Sequence, residues 1–296
     1  MYTSSMRPLT LLLAAAAALG IPAPAQQTVQ SVPAAIFMDT PADPAHPAAM
    51  TVLHIPTHGV EINAIVYSPS GAGLHPTVIL CHGLPGNEKN LDLAQAIRRA
   101  GWNAISFNYR GSWGSPGHYS FANDLEDTDA VLAYLEAPAN AARLGIDTRH
   151  IVLAGHSLGG WVTTQTAAHH PELAGAILIS AADMALASSQ PRDKVVALMK
   201  ENMESLNGTP EGIADEAIAT VRARTFASAA PGLAKLPLLV LTSNDGLAPA
   251  AGALVKAVQG AGNSHVTAIH ADTDHGWSDH RIFLEAATLN WLVALK

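Results

Sequence analysis

The chain has 296 residues and a formal net charge of −8 at pH 7; 49% of its residues are hydrophobic and 14% are charged. This composition describes a globular protein and excludes an intrinsically disordered one. The few lysines and arginines are scattered along the chain, so no basic patch points to a nucleic acid as partner.

The first predicted element is a secretory signal peptide over residues 1–25. Arg7 supplies a positive charge, residues 9–19 form a run of Leu and Ala with one Thr, and Ala23 and Ala25 form a small-x-small cleavage site. The apolar run is shorter than the roughly 20 residues that a membrane-spanning helix needs. We therefore expect cleavage after Ala25 and a mature protein without a membrane span, in a periplasm or outside the cell.

Residues 26–50 are rich in Ala and Pro and predict an extended lead-in. From residue 51 to residue 296, short apolar runs alternate with helical patterns, which predicts one α/β domain. The alternation indicates a mostly parallel sheet with helices on both faces, and the chemistry of such sheets collects at the carboxyl ends of the strands. The predicted strands are 51–56, 60–67, 77–81, 104–109, 151–154, 176–180, 238–241 and 266–270, and the predicted helices are 91–100, 125–136, 158–168, 247–260 and 279–295.

The most informative motif is Gly155-His156-Ser157-Leu158-Gly159, which lies directly after a predicted strand and directly before a predicted helix. Gly-x-Ser-x-Gly in this context is typical of a nucleophile elbow, a sharp turn that holds the serine hydroxyl above the sheet. The turn crowds its neighbours, so small residues are needed on both sides of the serine. We therefore predict that Ser157 is a nucleophile.

With this motif in this context, the chain resembles the α/β-hydrolase superfamily from about residue 51 onward. Within it, the resemblance is to esterase-like and prolyl-oligopeptidase-like serine hydrolases. It implies two backbone N–H donors for an oxyanion. One is the amide of Leu84, which follows the His82-Gly83 pair at the end of an early strand, and the other is the amide of Leu158.

The superfamily order is serine, then acid, then histidine. His275 follows the eighth predicted strand and is the expected base, while Asp245 follows the seventh and is the expected acid. Asp183, after the sixth strand, is the alternative acid. Asp245 is favoured because a tight polar turn presents a fixed carboxylate, whereas Asp183 suits the start of a helix.

Other chemistries are disfavoured. A metal site built from His275 and His280 would need side chains aligned on a helix face, and a spacing of five does not align them, even with Asp272 and Asp274 nearby. Cys81 lies inside an apolar strand and is predicted to be a core residue. No cofactor is implied. Relatives that are dehalogenases or epoxide hydrolases carry Asp at the elbow, and this chain carries Ser157.

Two further segments are expected near the site. Arg110 and the residues after it are similar to an Arg-Gly-x-Gly-x-Ser-x-Gly turn of the family, with Trp113 in place of a small residue. Trp113 either lines the pocket or packs the loop. Residues 182–235 interrupt the strand–helix rhythm with helical stretches over 195–206 and 213–227. The resemblance implies a small helical lid. Its side chains Met184, Leu186, Met199 and Met203 either face the site from the underside of the lid or pack the lid against the body.

The expected function is hydrolysis of a carboxylic ester or thioester, a small-molecule substrate, through an acyl-enzyme. One alternative is a peptidase similar to prolyl oligopeptidases, although too few residues precede residue 51 for their usual propeller. The other is a binding protein without catalysis on the same fold, although such relatives usually lack a triad member and none is missing here. Fold resemblance names no substrate and no oligomeric state.

Overall fold

A computed structural model describes residues 31–295. The signal-peptide prediction and its cleavage site lie outside these residues. The described part of the lead-in contains a short 3₁₀ turn, Ala34–Ile36, and runs into the first strand at Ala49. This turn is docked rather than loose, because Arg99 donates hydrogen bonds to the carbonyls of Ala35 and Ile36 at 2.5 and 2.9 Å.

Eight strands form one sheet in the order β1-β2-β4-β3-β5-β6-β7-β8. β1 pairs with β2 and β2 with β4 in antiparallel fashion, and every later pairing is parallel. The mostly parallel sheet predicted from the sequence is therefore confirmed. The strands are β1 Ala49–Thr57, β2 Val60–Ser68, β3 His75–Cys81, β4 Asn103–Phe107, β5 Ile146–His156, β6 Gly175–Ile179, β7 Leu238–Thr242 and β8 Val266–His270.

Helices connect the strands. All five helices predicted in the body are present, within a few residues of the predicted bounds, and α3 is an additional short one. The helices are α1 Leu91–Arg99, α2 Phe121–Glu136, α3 Pro138–Leu144, α4 Leu158–Ala167, α5 Met184–Ser188, α6 Arg192–Lys200, α7 Pro210–Thr220, α8 Phe226–Ala229, α9 Ala248–Gly260 and α10 Arg281–Ala294. Within residues 31–295, no helix combines the length and the apolar character that a membrane span requires.

The central strands are continuous apolar runs because both faces of the sheet are covered. On β3, Val78 and Leu80 pack into one buried cluster, whereas Ile79 and Cys81 pack into the other. Side chains alternate between faces along a strand, so each run contributes to both cores. Burial on both faces stabilises the sheet, and loops follow the carboxyl ends of its parallel strands along one edge.

The segment between β6 and β7 contains helices α5 to α8 and a 3₁₀ turn, Met203–Ser205. Met184 and Met199 are buried in the same cluster as the sheet, and Met203 packs against that cluster. Leu186 is 56% exposed. Three of these four side chains therefore dock the segment on the body.

Candidate active site

Ser157 lies between the end of β5 and the start of α4 with φ 58° and ψ −120°. A positive φ is costly for a residue with a side chain, so neighbouring contacts must hold it. The Ser157 amide donates to the carbonyl of Ile179 at 3.0 Å, and the Ser157 carbonyl accepts from the amides of Gly160 and Ala182, each at 3.0 Å. These bonds fix the serine at the carboxyl end of the sheet.

The two motif glycines are required by close packing. A Cβ at Gly155 would overlap the carbonyl of Gly159, and a Cβ at Gly159 would overlap the carbonyl of Cys81. Gly83 approaches the serine from the other side, where an added Cβ would lie 3.1 Å from Cβ of Ser157. The turn therefore has the crowded geometry expected of a nucleophile elbow.

His275 and Asp245, which are 30 residues apart, form a hydrogen bond of 2.8 Å between Nδ1 and Oδ2. The Asp245 side chain is 4% exposed, and its Oδ1 accepts from the Leu247 amide at 2.9 Å. Burial raises the pKa of Asp245, but hydrogen bonds from His275, the Leu247 amide and the Ser243 hydroxyl outweigh burial and hold the pKa below its usual value. An ionised Asp245 keeps the proton of His275 on Nδ1 and leaves Nε2 free to accept one.

The alternative acid, Asp183, has other partners. Its carboxylate accepts from the amide of Ala185, at the start of α5, and from the amide of Phe226, both at 3.1 Å. Burial raises the pKa of Asp183. Its contacts are those of a helix cap, and the carboxylate that meets His275 is Asp245.

Ser157 and His275 line one cavity of about 210 Å³. Leu84, whose amide is an expected oxyanion donor, lies on its wall, and Leu158 begins the helix directly after Ser157. The cavity is lined by residues of three segments: Gly83, Leu84, Pro85, Gly86, Asn87, Glu88, His156, Ser157, His275 and Gly276. All five residues predicted for the site therefore lie at, or directly beside, this cavity or pair with a residue that lines it.

His156 is a part of the site that sequence reasoning missed. Its Nε2 donates to the carbonyl oxygen of His275 at 2.9 Å, since a carbonyl can only accept, and the two rings lie 4.6 Å apart. Burial lowers the pKa of His156 to about 4, so the ring is neutral near pH 7. The motif offers no signal for this contact, because His156 occupies its variable position.

A model of the alpha/beta hydrolase fold matches residues 76–256, more than half of the chain. The chain belongs to the α/β-hydrolase fold family.

This α/β hydrolase is 27% identical over 129 residues to an uncharacterized protein of Mycobacterium tuberculosis, covering 43% of this chain and 44% of the relative. The chain thus matches less than half the length of the first curated relatives. A carboxyl esterase from Bacillus coagulans superposes with a TM-score of 0.64 at 13% identity, covering 83% of this chain and 99% of that one. An acylaminoacyl peptidase from Pyrococcus horikoshii gives 0.61 at 16% identity, covering 82% and 41%. Identities this low show a shared fold only.

The loop after β3 of this α/β hydrolase is held on several sides. His82 is buried, and its Nδ1 donates to the Gly83 carbonyl at 2.8 Å. Trp113 Nε1 donates to the Pro85 carbonyl at 2.5 Å, and the Ser205 hydroxyl donates to the same oxygen at 3.3 Å. Trp113 therefore packs the loop that lines the cavity, and His82 orders the same loop.

The turn that carries Trp113 is anchored by Arg110. Nε of Arg110 donates to Oδ1 of Asp127 at 2.6 Å, and the Arg110 amide donates to Oδ2 at 2.7 Å. Asp127 also accepts from the Thr57 hydroxyl at 2.9 Å. Arg110 and Asp127 are both buried, and Asp127 belongs to α2. Their ion pair therefore holds the turn against α2 of this α/β hydrolase.

No group of three His, Cys, Asp or Glu side chains within residues 31–295 is arranged to hold a metal ion. Cys81 is buried, and burial raises the pKa of its thiol to about 12. A thiol with that pKa is a poor nucleophile near neutrality.

Proposed function

We propose that this α/β hydrolase is a serine hydrolase that cleaves a carboxylic ester or thioester through an acyl-enzyme. The observation that carries the proposal is the arrangement of Ser157 at a strained elbow and His275, bonded to Asp245, on the same cavity. This is the minimal set that activates a serine hydroxyl, which is a weak nucleophile near pH 7.

In the first half-reaction, Nε2 of His275 takes the proton of the Ser157 hydroxyl as Oγ attacks the ester carbonyl. The oxyanion of the tetrahedral intermediate is stabilised by the amides of Leu84 and Leu158, each of which contributes roughly 3 kcal/mol in such sites. His275 then gives its proton to the leaving alcohol or thiol, and the acyl group stays on Ser157.

In the second half-reaction, His275 activates a water, which attacks the acyl-enzyme. The tetrahedral intermediate collapses, the carboxylic acid leaves, and Ser157 regains its proton. Asp245 keeps the ring of His275 in one tautomer and stabilises its charged form in both steps. The chemistry needs no cofactor.

The second candidate is a peptidase, because a structural neighbour of the same fold is an acylaminoacyl peptidase. The same residues would attack an amide, with an amine as leaving group. The ester assignment is preferred because a carboxyl esterase is matched over 99% of its length, whereas the acylaminoacyl peptidase is matched over 41%.

The deciding experiment is a turnover screen of purified protein against p-nitrophenyl esters of graded chain length and against aminoacyl-nitroanilides. We expect ester turnover that disappears in Ser157→Ala, and fluorophosphonate labelling at Ser157 that is lost in His275→Ala. Faster cleavage of the anilides favours the peptidase. Wild-type turnover in a folded Ser157→Ala variant contradicts both assignments.

Export is proposed together with this function. The composition of residues 1–25 supports a secretory signal, and N-terminal sequencing of exported material should begin at Gln26. Mature protein that begins at Met1 would overturn the localisation and leave the chemistry untouched.

A further inference from the structure

The segment between β6 and β7, residues 182–235, pairs with the turn that follows β4. Ser112 of the turn and Leu206 of the segment are partners in an antiparallel bridge, and the amide of Trp113 donates to the carbonyl of Ser205 at 3.0 Å. Both bridge residues are buried. Because buried backbone groups that lose their partners are costly, this pairing resists separation.

Asn207 adds three hydrogen bonds at the end of the bridge. Its amide donates to the carbonyl of Gly111 at 2.7 Å, and its carbonyl accepts from the amide of Tyr119 at 2.9 Å. Its side-chain Nδ2 donates to the carbonyl of Gly117 at 2.6 Å. The segment is therefore bonded to both arms of the turn, through backbone and side chain together.

The segment is anchored twice more after the bridge. The Glu216 carboxylate in α7 accepts from the amides of Phe121 and Ala122 at 3.0 and 3.2 Å. These amides begin α2, where the helix dipole favours a negative charge. Farther along the chain, the buried indole of Trp161 in α4 donates to the carbonyl of Arg224 at 2.8 Å. Three separate parts of the body therefore hold the segment: the turn after β4, the start of α2, and α4.

The reaction cavity is open without any movement of this segment. The His275 side chain is 41% exposed, and Asn87, which also lines the cavity, is exposed. Beside Asn87 the segment presents a carboxylate, because Nδ2 of Asn87 donates to Oε2 of Glu204 at 3.5 Å. Within residues 31–295, Leu186 is the only large hydrophobic side chain of the segment that is exposed. A cover that opens onto a lipid surface needs a wide apolar face, and this segment does not present one.

We propose that residues 182–235 form a fixed wall of the reaction site, and that the protein hydrolyses single ester molecules dissolved in water without opening a lid or binding to a lipid surface. The inference rests on the proposed function, because it names the substrates of the same site. A lipid surface can raise the rate only if it favours an open form over a closed one. With the wall fixed and the cavity already open, an aggregated substrate gains nothing over a dissolved one.

The first test follows wild-type turnover of p-nitrophenyl butyrate from below to above its solubility limit, with alkali uptake at constant pH as the measurement. p-Nitrophenyl acetate, which stays dissolved over the same range, is the matched substrate. We expect both rates to saturate hyperbolically, with no rise when the butyrate forms an emulsion. A several-fold rise at the solubility limit overturns the proposal.

A second test locks the segment covalently. The double variant Ser112→Cys and Leu206→Cys places two thiols on opposite residues of the antiparallel bridge, at a Cα separation that a disulfide can span. The single variants are the matched controls, and Cys81 does not compete because it is buried. We expect the same kcat on p-nitrophenyl butyrate with the disulfide formed and after its reduction. A loss of more than about tenfold on oxidation, restored by reduction, would show that the segment moves during turnover.

Hydrogen exchange of the wild type needs neither turnover nor a variant, so it decides the case if the double variant does not fold. The amides of Trp113, Tyr119 and Asn207 should exchange within about tenfold of the rate of Val152 in the central strand β5, because only unfolding of the domain releases them. Faster exchange at all three amides overturns the fixed wall. A protein that hydrolyses no ester refutes the proposed function, and the exchange rates then still show whether the wall is fixed.

Discussion

The residue directly before the predicted nucleophile holds the backbone of the predicted base: Nε2 of His156 donates to the carbonyl oxygen of His275 at 2.9 Å. The two histidines are 119 residues apart. Because His156 ends β5 and Ser157 follows it at once, this bond ties the loop of His275 to the elbow.

His156→Phe keeps a ring of similar shape and removes the donor. We expect kcat to fall by roughly 10- to 100-fold, because displacements of about 1 Å in a catalytic group are costly. His156→Gln retains an N–H that can reach the carbonyl oxygen of His275, so its kcat should lie between those of wild type and His156→Phe. Steady-state kinetics on one activated ester, with folding checked by circular dichroism, measures the effect. Equal rates for wild type and His156→Phe would show that the bond is dispensable.

Asp245→Asn should lower kcat by roughly 10³- to 10⁴-fold, because the amide cannot hold His275 in the same tautomer or stabilise its charge. Asp183→Asn should cost far less, since Asp183 bonds to the amides of Ala185 and Phe226 rather than to His275, and the amide oxygen can still accept from one of them. The two variants are compared on the same ester. A large loss in Asp183→Asn, with Asp245→Asn near wild type, would reverse the assignment of the acid.

Stability should fall as the pH decreases from about 6.5 to about 4. Burial lowers the pKa of His82 and of His156 from 6.5 to about 4, so the unfolded chain binds more protons than the folded one within that window. Each histidine should then remove up to about 1.4 kcal/mol of unfolding free energy per pH unit. Urea unfolding across this range should give a shallower decline for His82→Asn than for wild type. Parallel profiles would mean that His82 is not buried in its neutral form.

Two glycine substitutions within helices should have opposite effects. Gly159→Ala places a Cβ against the Cys81 carbonyl, and we expect a loss of about 3 kcal/mol or more because backbone must move. Gly252→Ala, in α9, meets no atom within 4 Å and should stabilise by about 0.4–1 kcal/mol. Thermal unfolding of both variants measures this contrast. A neutral Gly159→Ala would mean that the elbow is less crowded than the distances indicate.

Much of the fold could be predicted because burial on both faces marks a central strand in the sequence itself. Six of the eight strands follow from apolar runs, whereas β1 and β2 alternate between buried and more exposed residues. Helix α2 differs from the prediction only in starting earlier, at Phe121, where Ser120 caps it by accepting from the Asn123 amide. The short α3 was missed because seven residues carry too little periodicity. Its first residue, Pro138, reads equally well as a turn.

The acidic residues of α2, among them Asp124 and Asp127, show what local sequence patterns do not predict. Carboxylates near a helix start are explained by the helix dipole, yet Asp124 and Asp127 are fully buried. Asp127 pairs with Arg110, and Asp124 accepts from the Tyr119 hydroxyl at 2.9 Å. Nothing in the spacing of these residues reports burial.

The candidate site also combines residues that the sequence points to with contacts that it does not. A motif and a chain order name Ser157, Asp245 and His275 as candidates, whereas the contacts around them form only in three dimensions. His156 and Trp277 reach partners 119 and 97 residues away. Such contacts leave no periodic or compositional trace.

The carbonyl oxygen of Pro85 accepts hydrogen bonds from two parts of the chain, which limits the segments that can be exchanged between members of this family. Because it accepts from Ser205 in the segment between β6 and β7 and from Trp113 in the body, that segment is fastened to the wall of the cavity. Its buried methionines also complete the core under the sheet. The segment is therefore not an interchangeable module: exchanging it with that of a relative would alter the shape of the cavity that Ser157 and His275 line.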